Sequence, residues 1–268
     1  MQNIDNTPGR LFVVATPIGN LNDITLRAID ILGKVDIIAC EDTRTSRILL
    51  NNFNIKKELI SFHKYSSKEK AAELIDYLKR GKNIACITDA GTPGISDPGA
   101  FLVRLAMENS ITVVPIPGPS ALTSAVSIGG TGEQGFVFLG FMPSAVRQRN
   151  NLIKKYFMTG LPVVFYESPR RLLHTLGAVR QSIGNTRVFV CKELTKVYEE
   201  SMSGAIDDVI GKLKEGTIKG EYTVIVSTAE LHQKDTGSVD DRKSLLEAAS
   251  RVTGLTKREV YKKLFTKA

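Results

Sequence analysis

The stretch IACITDAGTPGISDPG, residues 84–99, decides the fold. Its first four residues form an apolar run that is typical of a buried strand. The loop that follows contains three glycines, two prolines and two aspartates. In open α/β sheets, ligands bind at the carboxyl ends of parallel strands. Glycine and proline let backbone groups come close to a ligand, so we predict a ligand-binding loop, although a structural turn could have the same composition.

Strand and helix patterns alternate on either side of this stretch. Short β-branched runs predict strands, and apolar residues that recur every three or four positions predict helices. In the first half the predicted strands cover 11–16, 36–40, 58–62, 83–88 and 111–116, and the predicted helices cover 25–32, 45–52, 68–80 and 97–109. This alternation indicates an α/β fold with a mostly parallel sheet.

A second series of elements begins after the proline-rich turn PIPGPS, residues 115–120. Strands are predicted at 136–141, 161–168, 187–193, 199–205 and 220–227, with a helix over 168–183. Neighbouring strands near Glu199 and Glu221 indicate a mixed sheet. We therefore predict two α/β domains, residues 1–117 and 118–230.

The last part of the chain, residues 231–268, is predicted to be a linker and a small helical segment. The stretch 229–241 is polar, and basic residues dominate 243–268. This pattern favours two short helices, which either cap the fold with a solvated basic face or dock on RNA.

The composition limits the partners and the kinds of site. A formal charge of +8 favours a polyanionic partner, although many basic proteins never bind nucleic acid. Cys40, Cys86 and Cys191 lie far apart in apolar runs, so we expect buried free thiols, no disulfide framework and no metal site. No apolar run approaches the roughly 18 residues that span a bilayer, so we expect a soluble, cytoplasmic protein without a membrane partner.

Charged side chains follow several of the predicted strands. Glu41, Asp42 and Arg44 come directly after the second strand, which in a parallel sheet brings them near the loop after the fourth strand. A helix start is the ordinary explanation, because Asp42 or Thr43 is a good N-cap. Lys192 follows a strand of the second half, where it could serve a site or form a surface ion pair.

A series of ordered motifs carries a family resemblance over nearly the whole chain. They are TPIGNLNDIT, CEDTRTS, ITDAGTPGISDPG, PIPGPSA, YESPRR, CKELTK and GEYTVIV, and they resemble the ribosomal RNA small subunit methyltransferase I family. That family resembles a branch of the tetrapyrrole methylases, whose two α/β domains hold S-adenosylmethionine in the cleft between them. The lack of a GxGxxG turn agrees with such a fold. The resemblance implies 2′-O-methylation of a cytidine ribose in the decoding region of 16S ribosomal RNA.

The same resemblance implies a set of cofactor contacts. The cofactor loop of the superfamily corresponds to residues 90–95 here, with Thr92 in place of the usual acid, which leaves the hydrogen bonds of Thr92 open. The implied contacts are Pro17, Ala90, Gly91, Thr92, Ile95, Ser120, Ala121, Glu167 and Leu194.

The proposed chemistry also needs catalytic groups. A ribose hydroxyl is a poor nucleophile at neutral pH, so a proton-accepting carboxylate or a cation beside the alkoxide should help by roughly 10²–10⁴-fold. The candidates are Glu41, Asp42, Asp89 and Lys192. We prefer Glu41 or Asp42 as proton acceptor or ribose anchor, with Arg44 holding a phosphate and Asp89 shaping the cofactor loop. Flanking phosphates are expected on Arg147, Arg149, Lys154, Lys155, Arg170 and Arg171.

Two other functions remain open beside RNA methylation. A methyltransferase of a tetrapyrrole or another small metabolite could share the fold, because fold does not fix function. A non-catalytic RNA-binding factor for ribosome assembly could keep the cleft without turnover. The resemblance favours the RNA enzyme, implies a homodimer, and leads us to expect small-subunit ribosomal RNA within the assembled subunit as the substrate.

Overall fold

The computed structural model describes residues 7–63, 68–131, 133, 135–228, 246, 250 and 255–259. Within them the chain forms two five-stranded sheets. The strands of the first half are β1 (Leu11–Val14), β2 (Ile37–Cys40), β3 (Glu58–Ser61), β4 (Ile84–Cys86) and β5 (Val113–Ile116). Its helices are α1 (Leu26–Lys34), α2 (Thr43–Asn52), α3 (Lys68–Lys79) and α4 (Gly99–Glu108), and a 3-10 helix covers Leu21–Asp23.

The first sheet is parallel throughout, in the order β3-β2-β4-β1-β5. Both faces are buried, and successive residues of each strand point to opposite faces. Ile37 and Ala39 pack with α3 and α4, whereas Ile38 and Cys40 pack with α1 and α2 on the other face. The predicted α/β sheet is confirmed, and the carboxyl ends of β1, β2 and β4 lie together at one edge.

Side-chain caps fix where two helices of this half begin. The Thr25 hydroxyl accepts a hydrogen bond from the Ala28 N–H at 3.1 Å and caps α1. The Asp42 carboxylate accepts one from the Arg44 N–H at 2.8 Å and caps α2. Each cap satisfies an N–H group that has no partner inside its helix. The predicted helix start at Asp42 is therefore confirmed.

The second half is built on a mixed sheet. Its strands are β6 (Val137–Phe141), β7 (Val163–Glu167), β8 (Arg187–Lys192), β9 (Glu200–Ala205) and β10 (Tyr222–Val226), in the order β6-β7-β10-β8-β9. Its helices are α5 (Ala121–Gly129), α6 (Val146–Tyr156), α7 (Leu172–Ile183) and α8 (Ile206–Glu215). The β6–β7 pair is parallel, and the other pairs are antiparallel. The predicted mixed sheet is confirmed.

An apolar cluster connects the two halves. One face of the second sheet packs against α6, α7 and α8. The opposite face packs against α5, and its cluster also contains Ile18 from the first half beside Val164 and Leu194. The chain passes between the sheets after Ile116. The domain boundaries 1–117 and 118–230 stay a prediction.

Several other predictions concern cysteines, the tail and the membrane. Cys40, Cys86 and Cys191 are buried and free, as predicted, and burial raises the pKa of the Cys86 and Cys191 thiols to about 12.

The linker and most of the basic tail predicted for 231–268 lie outside the described residues; within that tail, residues 257–259 are helical. Among the described helices, none has the length and apolar character needed to cross a bilayer.

Candidate active site

A cleft of about 450 Å³ lies between the two sheets and is lined by residues at the ends of their strands. This volume falls within the usual range of small-molecule sites, about 300–1,000 Å³. The first half contributes Ile18, Glu41, Thr88, Asp89, Ala90, Gly91, Thr92, Ile95, Ser96 and Asp97. The second half contributes Ser120, Ala121, Phe141, Tyr166, Glu167, Ser168, Pro169, Gly220, Glu221, Tyr222 and Thr223. The end of β7 and the start of β10 share this edge because the two strands are antiparallel, with Glu167 opposite Tyr222.

Backbone hydrogen bonds join the loops after β1 and β4 into one unit. The Thr16 N–H donates to the Gly91 carbonyl at 2.9 Å, and the Gly91 N–H donates to the Thr16 carbonyl at 3.0 Å. The buried Thr16 hydroxyl donates to the Thr88 carbonyl at 3.0 Å. Gly91 has φ +85°, a conformation that glycine adopts without steric cost. The two loops therefore present a fixed backbone to the cleft.

The rest of the loop after β4 is held by Asp97 and Thr92. The Asp97 carboxylate accepts hydrogen bonds from the Gly94 N–H at 2.8 Å and the Gly99 N–H at 2.7 Å. The Thr92 hydroxyl donates to the Pro119 carbonyl at 3.1 Å, which ties this loop to the turn between the sheets. The sequence did not predict the hydrogen-bond partner of Thr92; in the structure its hydroxyl donates to a protein carbonyl, that of Pro119.

Two neighbouring carboxyl groups, those of Glu41 and Asp42, lie in opposite environments. Glu41 lines the cleft and accepts a hydrogen bond from the Thr88 hydroxyl at 3.1 Å. Burial, reinforced by the charges of Asp89 and Asp97, raises the pKa of Glu41. Hydrogen bonds from Arg44 instead lower the pKa of Asp42 to about 2. Of these two carboxyl groups, only that of Glu41 lines the cleft and has a raised pKa.

The carboxylate of Asp89 forms the second acidic group of this wall. It accepts a hydrogen bond from the Asp42 N–H at 3.2 Å. Burial raises the pKa of Asp89, and the nearby charge of Asp42 adds to the increase. Asp89 thus connects the loop after β4 to the start of α2.

The wall of the second half contains a buried ion pair and a tyrosine. The Glu167 carboxylate is fully buried and accepts hydrogen bonds from the Ser168 N–H at 2.7 Å and the Thr175 hydroxyl at 2.6 Å. Arg171 pairs with it at 2.7 Å. The Tyr166 hydroxyl accepts a hydrogen bond from the Leu122 N–H at 3.1 Å, at the first turn of α5. These polar groups mainly hold the wall together.

Two loops, one from each half of the chain, are in direct contact at Gly19 and Lys196. Lys196 pairs with Glu193 at 2.8 Å and with Glu221 at 3.0 Å. Its side chain also lies against Gly19 of the other half, where an added Cβ would be only 2.3 Å from the Lys196 Cγ. A side chain at position 19 would force Lys196 to move, so glycine permits this close approach.

The lining of the cleft is acidic, although the chain as a whole is basic. Its lining includes the carboxyl-bearing residues Glu41, Asp89, Asp97, Glu167 and Glu221, and among the described lining residues there is no Lys, Arg or His. The chain as a whole has a formal charge of +8. The described side chains also contain no group of three His, Cys, Asp or Glu arranged to hold a metal ion. Such a cleft suits an organic cation better than a phosphate.

The structure separates the predicted site residues into two groups. Those that line the cleft are Glu41, Asp89, Ala90, Gly91, Thr92, Ile95, Ser120, Ala121 and Glu167. Those outside its lining are Pro17, Asp42, Arg44, Lys192 and Leu194. Their catalytic and cofactor roles stay predictions.

Contacts elsewhere explain why the second group lies outside the cleft. The Arg44 guanidinium pairs with Asp42 at 2.7 Å and is 89% exposed. Lys192 pairs with Glu200 at 3.3 Å. Pro17 and Leu194 are buried, and Leu194 belongs to the apolar cluster between the halves.

Sequence reasoning missed several residues of the second wall and misplaced two cations. Phe141, Tyr166 and residues 220–223 line the cleft. Tyr166 and residues 220–223 could have been found from the sequence, because they lie at the predicted end of β7 and start of β10. The phosphate role predicted for Arg149 and Arg171 needs correction. Arg149 is buried, and Arg171 is occupied by Glu167 and by the Met142 carbonyl.

Comparison with known proteins gives close relatives along most of the sequence. Residues 10–210 match the family model of the tetrapyrrole (corrin/porphyrin) methylases. Ribosomal RNA small subunit methyltransferase I of Thermotoga maritima is 44% identical over 222 residues, which are 83% of this chain and 100% of that protein. The protein of the same name from Mesorhizobium japonicum is 40% identical and covers 95% of this chain and 90% of its own length.

Solved structures extend the likeness to more distant proteins. A diphthine synthase matches with a TM-score of 0.65 at 12% identity, over 81% of this chain and 89% of that chain. A uroporphyrin-III-C-methyltransferase from Thermus thermophilus matches with a TM-score of 0.57 at 18% identity, over 84% and 98%. These distant matches show the fold alone. The matched family model and the sequence relatives go further: the chain belongs to the ribosomal RNA small subunit methyltransferase I family of the tetrapyrrole methylases.

Proposed function

We propose that the protein transfers a methyl group from S-adenosylmethionine to the 2′-hydroxyl of a cytidine in the decoding region of 16S ribosomal RNA. Family membership gives the reaction class and the RNA. The observation that carries the proposal is the acidic cleft between the sheets, in which Glu41 has a raised pKa and no cationic side chain is part of the described lining.

The residues of the cleft fit this cofactor. S-adenosylmethionine supplies a methyl group on a positively charged sulfur, and its amino group adds a second positive charge. The methionine carboxylate balances one of these charges, so the ligand remains a cation. Glu41 and Asp89 would attract it, whereas Glu167 and Glu221 are paired with Arg171 and Lys196. The first turn of α5, at Ser120 and Ala121, offers hydrogen-bonding groups to a polar end of the ligand, and Gly91 has no side chain to keep the ligand from the backbone. Ala90, Thr92, Ile95 and Glu167 complete the proposed contacts.

Within this site Glu41 is the proposed proton acceptor for the ribose hydroxyl. Its raised pKa makes it a stronger base than an ordinary glutamate, and Thr88 holds it by a hydrogen bond at 3.1 Å. Asp42 is a poor alternative because Arg44 stabilises its charged form. Most of the rate enhancement should come from holding the ribose oxygen in line with the methyl group. Asp89 contributes by fixing the loop through the Asp42 N–H.

The charge distribution also defines how RNA would approach. Phosphate groups are repelled by the carboxylates of the cleft, so only the ribose and base of one nucleotide should enter it. That nucleotide must leave its stack to do so. The exposed cations Arg147, Lys154, Lys155 and Arg170 are proposed to hold the flanking phosphates. We further propose a homodimer in the cytoplasm that acts on the assembled small subunit.

Transfer of labelled methyl groups tests the proposed function. Purified protein, labelled S-adenosylmethionine and small ribosomal subunits from cells without the activity are incubated, and the RNA is mapped by nuclease digestion and mass spectrometry. A 2′-O-methylated cytidine in the decoding region is the expected result. Free 16S ribosomal RNA is tested in parallel. Stronger labelling of the assembled subunit than of the free RNA would support the assembled subunit as the substrate.

Two other outcomes would overturn the proposal. If the cofactor binds but no RNA is labelled, while a tetrapyrrole or other small molecule accepts the methyl group, the protein is a metabolite methyltransferase. If the protein binds the subunit and transfers no methyl group to anything, it is an assembly factor.

A further inference from the structure

Phe141 is a large apolar side chain that stays exposed while lining the cleft. It is the last residue of β6, and 58% of it is accessible. Large apolar side chains usually leave water when a chain folds. An aromatic ring left open at the mouth of a polar cleft is therefore a candidate contact for a flat ligand group.

The backbone around Phe141 is shaped to direct this ring. The register between β6 and β7 shifts between Phe138 and Phe141, which marks a bulge or irregularity. Gly140, within it, has φ +65°, and an added Cβ there would lie 2.7 Å from the Ser96 hydroxyl of the opposite wall. Bulges of this kind often re-aim a side chain next to an active site. Glycine at 140 thus permits both the turn of the strand and the contact across the cleft.

Neighbouring aromatic rings support Phe141 in this position. The ring of Tyr166 contacts it edge to face, with centroids 5.3 Å apart and an angle of 60°. Tyr166 makes a similar contact with Phe138 at 5.1 Å. The Tyr166 hydroxyl is fixed by the Leu122 N–H. Phe141 is therefore held from one side while more than half of it remains free for a ligand.

We infer that Phe141 is the stacking surface for the nucleobase of the target nucleotide. This inference rests on the proposed function, because it assumes that one unstacked nucleotide enters the cleft. Proteins commonly hold splayed RNA bases on aromatic side chains. The described lining has no cation to bind a phosphate, so base and ribose are the parts that it can hold. Gly91 and Ser120, two of the proposed cofactor contacts, are buried, whereas Phe141 is exposed. RNA that arrives from solvent would therefore meet the Phe141 ring.

Substitutions that separate ring stacking from apolar volume test this inference. Phe141→Leu keeps an apolar side chain of similar size and removes the aromatic face, whereas Phe141→Tyr keeps the face. We expect kcat/KM for small subunits to fall by about tenfold or more in Phe141→Leu and to stay within about threefold of the parent in Phe141→Tyr. The dissociation constant of S-adenosylmethionine, measured by calorimetry, should change by less than about twofold in both.

The matched control is Phe101→Leu. Phe101 is also partly exposed, at 39%, but it stacks on Phe62 at a centroid distance of 6.5 Å and does not line the cleft. This variant should methylate RNA like the parent. Thermal unfolding of every variant shows whether the fold is kept.

Two results would overturn the inference while the proposed function stands. Parental kcat/KM for RNA in a folded Phe141→Leu protein would mean that the ring stacks on no base. Loss of cofactor affinity in the same variant, with turnover restored by saturating S-adenosylmethionine, would mean that the ring contacts the cofactor's adenine instead. Failure of the proposed function itself would appear separately, as absence of RNA methylation by the unsubstituted protein.

Discussion

The two walls of the cleft are built in different ways. The wall from the parallel sheet consists of loops that follow strands, and it presents backbone groups and the carboxylates of Glu41 and Asp89. The wall from the mixed sheet presents the rings of Phe141 and Tyr166. The first wall suits the binding of cations and proton transfer, and the second suits the packing of flat groups. Chemistry and positioning are thus divided between the two halves.

The carboxylates of the two walls illustrate this division. Glu41 accepts a hydrogen bond from the Thr88 side chain and lines the cleft. Glu167 also belongs to the lining, but its oxygens are occupied by Ser168, Thr175 and Arg171. The same chemical group therefore acts as a candidate base in one wall and as a structural anchor in the other.

The largest expected effect on stability comes from removing the anchor. Glu167→Ala leaves the Arg171 guanidinium without its carboxylate partner, and among the described residues only the Ser168 hydroxyl and the Met142 carbonyl remain to accept its hydrogen bonds. Loss of one member of a buried pair should lower the free energy of unfolding by about 3 kcal/mol, measured by urea denaturation. Glu200→Ala is the control, since it breaks only the exposed pair with Lys192 and should cost less than about 1 kcal/mol. Equal effects of the two substitutions would contradict an anchoring role for Glu167.

The largest expected effect on turnover comes from the other wall. Glu41→Gln keeps the shape of the side chain and removes the proton acceptor, so single-turnover methylation should slow by about 100-fold or more. Cofactor affinity should stay within a few-fold of the parent. A variant with parental turnover would exclude Glu41 as the base.

The pH dependence of the same reaction sharpens this assignment. Glu41 can accept a proton only while it is ionised, so the rate should fall as the pH drops through its pKa. Because burial raises that pKa, the decline should begin at a higher pH than an ordinary glutamate would give. The decline should disappear in Glu41→Gln, as measured by single-turnover rates across the acid range. A decline that persists unchanged in Glu41→Gln would assign it to another group.

A smaller effect is expected from the tyrosine of the second wall. Tyr166→Phe removes the oxygen that accepts the Leu122 N–H at the start of α5, while the ring contacts with Phe138 and Phe141 remain possible. Loss of one such hydrogen bond should lower the free energy of unfolding by about 1 kcal/mol, measured by denaturant titration. An unchanged free energy would mean that water replaces the hydroxyl.

The smallest effect is expected from Asp42→Asn. Asparagine also caps helices, so α2 should begin as before, and the exposed pair with Arg44 contributes little. The methylation rate should remain within about threefold of the parent. A loss of rate as large as that in Glu41→Gln would indicate that Asp42 also takes part in proton transfer.

Much of the fold could be predicted from the sequence because buried strands are short apolar runs. All ten predicted strands correspond to strands of the structure, with ends that differ by up to two residues. The strand order could not be predicted in this way. β4 lies between β1 and β2, a pairing set by packing between distant parts of the chain rather than by any local pattern.

The candidate site could be predicted only in part. The loop after β4 is visible in the sequence because glycine, proline and aspartate follow an apolar run. Glu41 and Asp42 could not be distinguished, since they are neighbours and differ only in what surrounds them after folding. Phe141 was missed because its exposure depends on the irregularity at Gly140. Arg149 looked like a surface cation, yet α6 turns it inward.

The acidic lining of the cleft also affects how the spent ligand departs. In the proposed reaction, methyl transfer removes one positive charge from the ligand, and Glu41 loses its negative charge when it takes up the ribose proton. The demethylated product is therefore attracted less strongly than the fresh methyl donor. The chemical step itself thus weakens the electrostatic attraction that holds the ligand and favours its release.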